Sequence, residues 1–174
     1  MRALVVYESM FGNTHRVAEA IGAGFPAGST VEVASVHDAP DRLPDDLDVL
    51  VVGGPTHVHG LSRPSTRQAA EQQAEDRDLQ MDPDAAGDGV REWLEALVAP
   101  AGATVRGAAF DTRASGPAVL TGRASKGIAK LMRHHGVELV VDPESFLVTK
   151  ETELAPDELA HARAWGGKVA DAVG

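Results

Sequence analysis

Leu4-Val5-Val6-Tyr7-Glu8-Ser9-Met10-Phe11-Gly12-Asn13-Thr14 is the stretch that decides the fold. Ala3 to Tyr7 is a nearly pure apolar run, the pattern of a strand buried on both faces. From Thr14 the period changes: Val17, Ile21 and Phe25 recur at i, i+4 and i+8, one face of a helix. The residues between include the polar Ser9 and Asn13 and a glycine. A strand that turns directly into a helix in this way brings backbone N–H groups and a helix N-terminus together, which is where a phosphate binds. Ser9 and Thr14 add hydroxyl donors, and Gly12 permits backbone conformations that other residues resist. The plainer reading is that Ser9, Asn13 and Thr14 cap a helix. Three polar side chains and a glycine at one such turn favour phosphate.

Outward from this stretch, apolar runs and helical patterns alternate. Val31 to Val36 and Val49 to Val52 read as strands, the second closed by Gly53-Gly54. The segment from Leu61 to Gly89 is polar and acidic, with a surface helix expected after Pro64 and a loop from Met81 to Gly89. Val90, Trp93, Leu94, Leu97 and Val98 predict an amphipathic helix, and Thr104 to Phe110 a further strand. Ile128, Leu131 and Met132 mark another helix. Val137 to Val141 reads as a strand that Phe146 to Thr149 continues after the Asp142-Pro143 turn. Pro156 opens a last helix with Ala162, Trp165, Val169 and Val173 as its buried stripe. Strand-helix alternation of this kind implies a parallel sheet covered by helices on both faces. No repeat or linker interrupts it, so residues 1–174 are expected to form one domain.

Composition narrows the function. With 43% apolar and 24% charged residues, neither disorder nor a membrane class is suggested. There is no cysteine, which removes disulfides, thiolate metal sites and cysteine nucleophiles. The net charge of -10 repels nucleic acid and anionic membranes. The apolar run near Met1 is too short for a signal peptide or a span, so the cytoplasm is the expected compartment. The first loop lacks G-x-x-x-x-G-K-[ST] and G-x-G-x-x-G, which argues against triphosphate and dinucleotide loops. No G-x-S-x-G is present, and no hydrolase triad is signalled.

The run from Leu4 to Thr14 resembles the flavodoxin signature: apolar strand, aromatic, then S-x-x-G-x-T. The resemblance implies a flavodoxin-like, doubly wound, five-stranded parallel sheet of order 2-1-3-4-5. It also implies FMN as cofactor, its phosphate held by Ser9, Met10, Phe11, Gly12, Asn13 and Thr14. A second loop, Pro55-Thr56-His57-Val58-His59-Gly60, is similar to the P-T-W-x-x-G segment of many flavodoxins, with Pro55, Thr56 and Gly60 matching. His57 stands where many of them place the tryptophan that stacks on the flavin. A smaller ring that titrates covers the flavin less well. His57 and His59 also form an H-x-H pair, but no third metal ligand is evident. The third loop, Asp111-Thr112-Arg113, lacks the tyrosine often found there. Arg113 is either a charge near the flavin's pyrimidine end, where it would raise the potential, or a solvated loop arginine.

Arg63 and Arg67 can join Arg113 in a basic rim for a nicotinamide dinucleotide or an acidic substrate, or simply pair on the surface with Glu71 or Glu75. Arg123, Lys126, Lys130 and Arg133 form a basic helix face. Asp76, Asp78, Asp82, Asp84 and Asp88 form an acidic patch suited to a basic partner, or a solvated loop. The resemblance favours an FMN electron carrier with a reductase and an acceptor as partners. The alternatives are an FMN-dependent NAD(P)H:quinone or related oxidoreductase and a flavin-free module on the same fold.

Overall fold

The computed structural model of the chain describes residues 1–58, 60–83, 85, 87–99 and 104–174. His59 and Asp84 of the sequence reading lie outside them. At the centre is β1 (Arg2–Tyr7), paired in parallel with β2 (Thr30–Ser35) on one side and β3 (Val49–Pro55) on the other. Next comes β4 (Arg106–Ala114), and the far edge is filled by β5 (Glu138–Leu139) and β6 (Glu144–Val148). Every pairing between these strands is parallel, and the order β2-β1-β3-β4-β5 matches the expected one.

The fifth sheet position is split. Gly107 of β4 pairs with Leu139, but Phe110 pairs with Glu144, so the edge strand carries extra residues between them. Pro143 sits in this break, where its missing N–H costs no ladder bond. Arg123 closes the gap by donating from Nε to Ser145 Oγ at 3.0 Å and from Nη2 to the Pro143 carbonyl at 2.6 Å.

The helices α1 (Asn13–Gly22) and α6 (Glu158–Val173) cover one face; α3 (Val90–Ala96) and α5 (Ala124–His134) cover the other. The remaining two are α2 (Pro64–Arg77) and the short α4 (Ala118–Thr121). Alternate residues of β1 feed the two cores: Leu4 and Val6 pack toward α3 and α5, Ala3 and Val5 toward α1 and α6. All four are buried, which is why the run reads as continuously apolar. On the α1–α6 side, Phe110, Phe146 and Trp165 meet edge to face with centroids 6.1 to 6.3 Å apart. A Cβ on Gly166 would collide with the Ile21 carbonyl of α1, so the two helices touch backbone to backbone.

Two expectations are corrected. Val98 does not extend the buried stripe of α3. It is half exposed and pairs in parallel with Arg42, its N–H donating to the Asp41 carbonyl at 2.8 Å. Strands β3 and β4 also run past their expected ends at Val52 and Phe110. Gly53, Gly54 and Pro55 continue the ladder opposite Phe110, Asp111 and Thr112, which carries those residues up to the edge where ligands bind.

Candidate functional site

The sheet order reverses at β1, and a cavity of about 460 Å³ opens outside the carboxyl ends of the strands. Met10, Phe11, Asn13 and Thr14 form its floor from the first loop. Pro55, Thr56, His57 and Val58 come from the end of β3, and Thr112 and Arg113 from the end of β4. Ser9, Gly12, Gly60 and Asp111 are not on its wall.

Those four act one step back. Gly12 takes φ 81°, the left-handed conformation a glycine adopts freely, and is the N-cap of α1. Ser9 Oγ accepts the Gly12 N–H at 3.1 Å and fixes the turn. No side chain caps α1, so the capping reading of Ser9, Asn13 and Thr14 is set aside. Asn13 instead donates to the Thr152 carbonyl at 2.7 Å, and Thr14 Oγ1 shares a 2.8 Å hydrogen bond with Thr112 Oγ1. The N-terminal donors of α1 are left without a side-chain acceptor beside a cavity.

Asp111 is fully buried and accepts the Ser125 N–H at 2.7 Å; Thr56 Oγ1 accepts the Ala124 N–H at 2.9 Å. Together they cap α5 and bind it to the ends of β3 and β4. The Thr56 hydroxyl hydrogen is left to donate elsewhere. Gly60 closes the second loop: His57 N–H donates to its carbonyl at 2.8 Å and its N–H to the His57 carbonyl at 2.9 Å. At the tip, Val58 is 80% exposed with φ 42°, a conformation β-branched residues rarely take.

Arg113 lines the cavity with its guanidinium bonded to its own loop and makes no ion pair among the described residues. Its Nη1 donates to the Gly116 carbonyl at 2.9 Å and to Thr121 Oγ1 at 3.0 Å, tying its own loop to α4. Arg67 is the larger correction. It is 4% exposed, inside the molecule rather than on a rim, and its partners are Ser62 Oγ at 3.0 Å and Glu92 Oε2 at 3.3 Å, not Glu71 or Glu75. The periodicity of α2 is too polar to reveal a buried face. Glu8 and Glu92, which complete this cluster, carried no sequence signal, although Glu8 directly follows the central strand.

His57 is half buried, and burial first, then the nearby Arg67 charge, hold its imidazole below the ordinary histidine range; a hydrogen bond with the Thr66 backbone works the other way. Because the folded-state value is depressed, the stability it carries is present above the unfolded value of about 6.5 and lost as pH falls through the folded value. The expected result is a urea midpoint that declines below pH ~6.5 in the native chain and declines less in His57→Asn. Identical slopes would mean that the ring is solvated.

The α2 wall, absent from the sequence reading, adds Thr66, Ala69, Ala70, Gln73 and Arg77. The turn after β6 adds Thr149, Lys150 and Thr152. Among its described lining residues the cavity has three cations, Arg77, Arg113 and Lys150, and no carboxylate. In a chain with 26 Asp and Glu residues, that is a local inversion of charge. Among the described residues no group of three His, Asp or Glu side chains is placed to hold a metal, and no helix is long and apolar enough to cross a membrane.

The fold defines a doubly wound α/β protein whose cavity lies at the topological switch point. The family model for flavodoxin matches residues 5–114, and the chain belongs to the flavodoxin family. Members of this family bind FMN and transfer electrons to redox partners. No curated protein matches the chain significantly. Among solved structures it is similar to a flavodoxin from the domain Archaea (23% identity, 99% of both chains, TM-score 0.63). It is also similar to a flavodoxin, WrbA-like protein from Agrobacterium tumefaciens (23% identity, 99% of this chain and 96% of that one, TM-score 0.56). A third match is rubredoxin oxygen:oxidoreductase from Desulfovibrio gigas (16% identity, 99% of this chain but 36% of that one, TM-score 0.62).

Proposed function

We propose that the chain, taken as one domain over residues 1–174, binds FMN in this cavity and serves as a cytoplasmic electron carrier between a reductase and an acceptor protein. The observation that carries the reading is a cation-bearing cavity, with no carboxylate among its described lining residues, over the uncapped start of α1. The residues present fit an anionic, partly apolar ligand. Backbone donors from Met10 to Thr14, with the Asn13 and Thr14 side chains, would hold the phosphate. Ser9 and Gly12 would shape that loop. Pro55, Thr56, His57 and Val58, with Thr112 and Arg113, would flank the ring. His59 belongs to the same loop, Gly60 closes it, and Asp111 would support it from below through α5. When bound, FMN supplies the redox chemistry, and the side chains bind, orient and exclude water.

The test is an absorbance titration of the purified chain with FMN. Perturbed flavin bands and saturable binding are expected, with Thr14→Ala raising Kd by about tenfold or more, the loss of a hydrogen bond to a charged group. His57→Ala is expected to weaken binding through lost ring contact. An unperturbed spectrum would overturn the reading.

A second reading is an FMN-dependent NAD(P)H:quinone or related oxidoreductase. It is favoured by the third loop, Asp111-Thr112-Arg113, which has no tyrosine to cover the flavin. Arg67 is buried and gives a dinucleotide no contact. Rapid bleaching of bound FMN by NADPH, with no reductase present, would favour this reading over the carrier.

A further inference from the structure

One end of the cavity is built from parts of the chain that the first loop does not supply. Thr66, Ala70, Gln73 and Arg77 lie along one face of α2, which lays its small residues over the cavity and brings its last turn to the far end. There Arg77 Nη2 donates to the Lys150 carbonyl at 3.3 Å. Two residues on, the Thr152 carbonyl accepts from Asn13, the first residue of α1. The end of α2, the turn after β6 and the start of α1 therefore meet at one place, joined by these two bonds.

Arg77 and Lys150 both line the cavity at this junction. Neither makes an ion pair among the described residues, although the segments around them carry Glu75, Asp76, Asp78, Glu151 and Glu153. Two cations without ion-pair partners, at the end of a cavity with no carboxylate among its described lining residues in a chain of net charge -10, concentrate positive potential there. Their heads are exposed, so this attraction is screened by salt. Arg77 also offers a planar fork suited to phosphate oxygens, and Lys150 a compact point charge.

Resting on the FMN reading, we propose that Arg77 and Lys150 receive the phosphate monoester of the bound ligand and make the site selective for the phosphorylated over the unphosphorylated flavin. The Asn13–Thr152 bond is the positioning contact that keeps Lys150 beside the first loop.

The experiment titrates the full chain and the Arg77→Gln/Lys150→Gln double variant with FMN, riboflavin and inorganic phosphate, at low and at physiological ionic strength. The double variant is expected to raise the Kd for FMN about tenfold at low salt. It should leave the Kd for riboflavin unchanged and flatten the salt dependence of FMN binding. Unchanged FMN affinity, or parallel weakening of FMN and riboflavin, would overturn the proposal. If the native chain bound neither flavin, the FMN reading would fall and the phosphate titration would decide. Saturable phosphate binding that the double variant loses supports the two cations as the anion site, and equal binding by both chains, or by neither, overturns it.

Discussion

Arg67→Met is expected to lower the folding free energy by about 3–5 kcal/mol, the cost of leaving a buried charge without its partner. The guanidinium lies in a cluster that joins three elements. It reaches Glu92 Oε2 at 3.3 Å and Ser62 Oγ at 3.0 Å, and its charge acts on Glu8. Glu8 is 4% exposed; its Oε2 accepts the Val90 N–H at 3.0 Å, while Oε1 has no partner among the described residues. Gly89 admits this arrangement, since a Cβ there would lie 2.6 Å from both Arg67 Nη1 and Glu8 Oε2. Removing the cation leaves two carboxylates facing each other with little water. Adding Glu8→Gln to Arg67→Met is expected to restore part of the loss, because one of the stranded charges is gone. Denaturant unfolding measures both. A loss under about 1 kcal/mol, the range of exposed ion pairs, would mean that the cluster is solvated.

The same cluster sets two opposite pH dependences. Burial pushes the Glu8 carboxyl up, against hydrogen bonds from Ser62 and Val90. Its contribution to stability is therefore present below the unfolded carboxylate value and lost as pH rises through the folded one. For Glu92, burial also pushes upward, but hydrogen bonds from backbone N–H groups, Gly89 included, and from Arg67 outweigh it and hold the group below its usual range. Its contribution is present above the unfolded value and lost as pH falls through the folded one.

Phe110→Ala is expected to cost about 3–5 kcal/mol, as for other buried phenylalanines. The ring is fully buried, touches Phe146 and Trp165 edge to face, and lies across Gly53, its register partner on β3. A Cβ on Gly53 would fall within the Phe110 ring. Gly53→Ala alone is therefore expected to destabilise by about 1–3 kcal/mol through overpacking. The two changes should be strongly non-additive, because the alanine methyl of one fills space that the other vacates. Thermal unfolding of the two single variants and the double variant checks this; simple additivity would mean that Gly53 and Phe110 do not share the space. Gly53 leads directly into Gly54 and Pro55 at the cavity edge, so the double variant also reports how far packing in this core governs the site.

Much of this was readable from residue order. An apolar run followed by a glycine-containing turn and then a helical period reads as a buried parallel strand feeding a helix, and Leu4 to Thr14 writes it out. The stripe Ala162, Trp165, Val169 and Val173 is buried as its spacing predicts. Local rules reached less far where polar residues are buried. Arg67 sits in a helix whose composition reads as solvated, and only the placement of Glu8, Ser62 and Glu92 from three other segments makes its burial tolerable. The α2 wall of the cavity was illegible for the same reason: small and polar residues at helical spacing carry no hydrophobic signal, and what they face is decided elsewhere in the chain.

The sequence by itself therefore determined the alternation of strands and helices and, through its resemblance, the sheet order, and it marked out the turn from Glu8 to Asn13 between the first strand and the first helix. These follow from periodicities and turn chemistry that act over a few neighbours. Only the tertiary structure decided that Arg67 is interior, that Arg113 is tied to its own loop, and that Arg77 and Lys150 come together at one end of the cavity. Those facts depend on groups tens of residues apart, whose charges and hydrogen bonds find partners only once the sheet has brought the ends of its strands together.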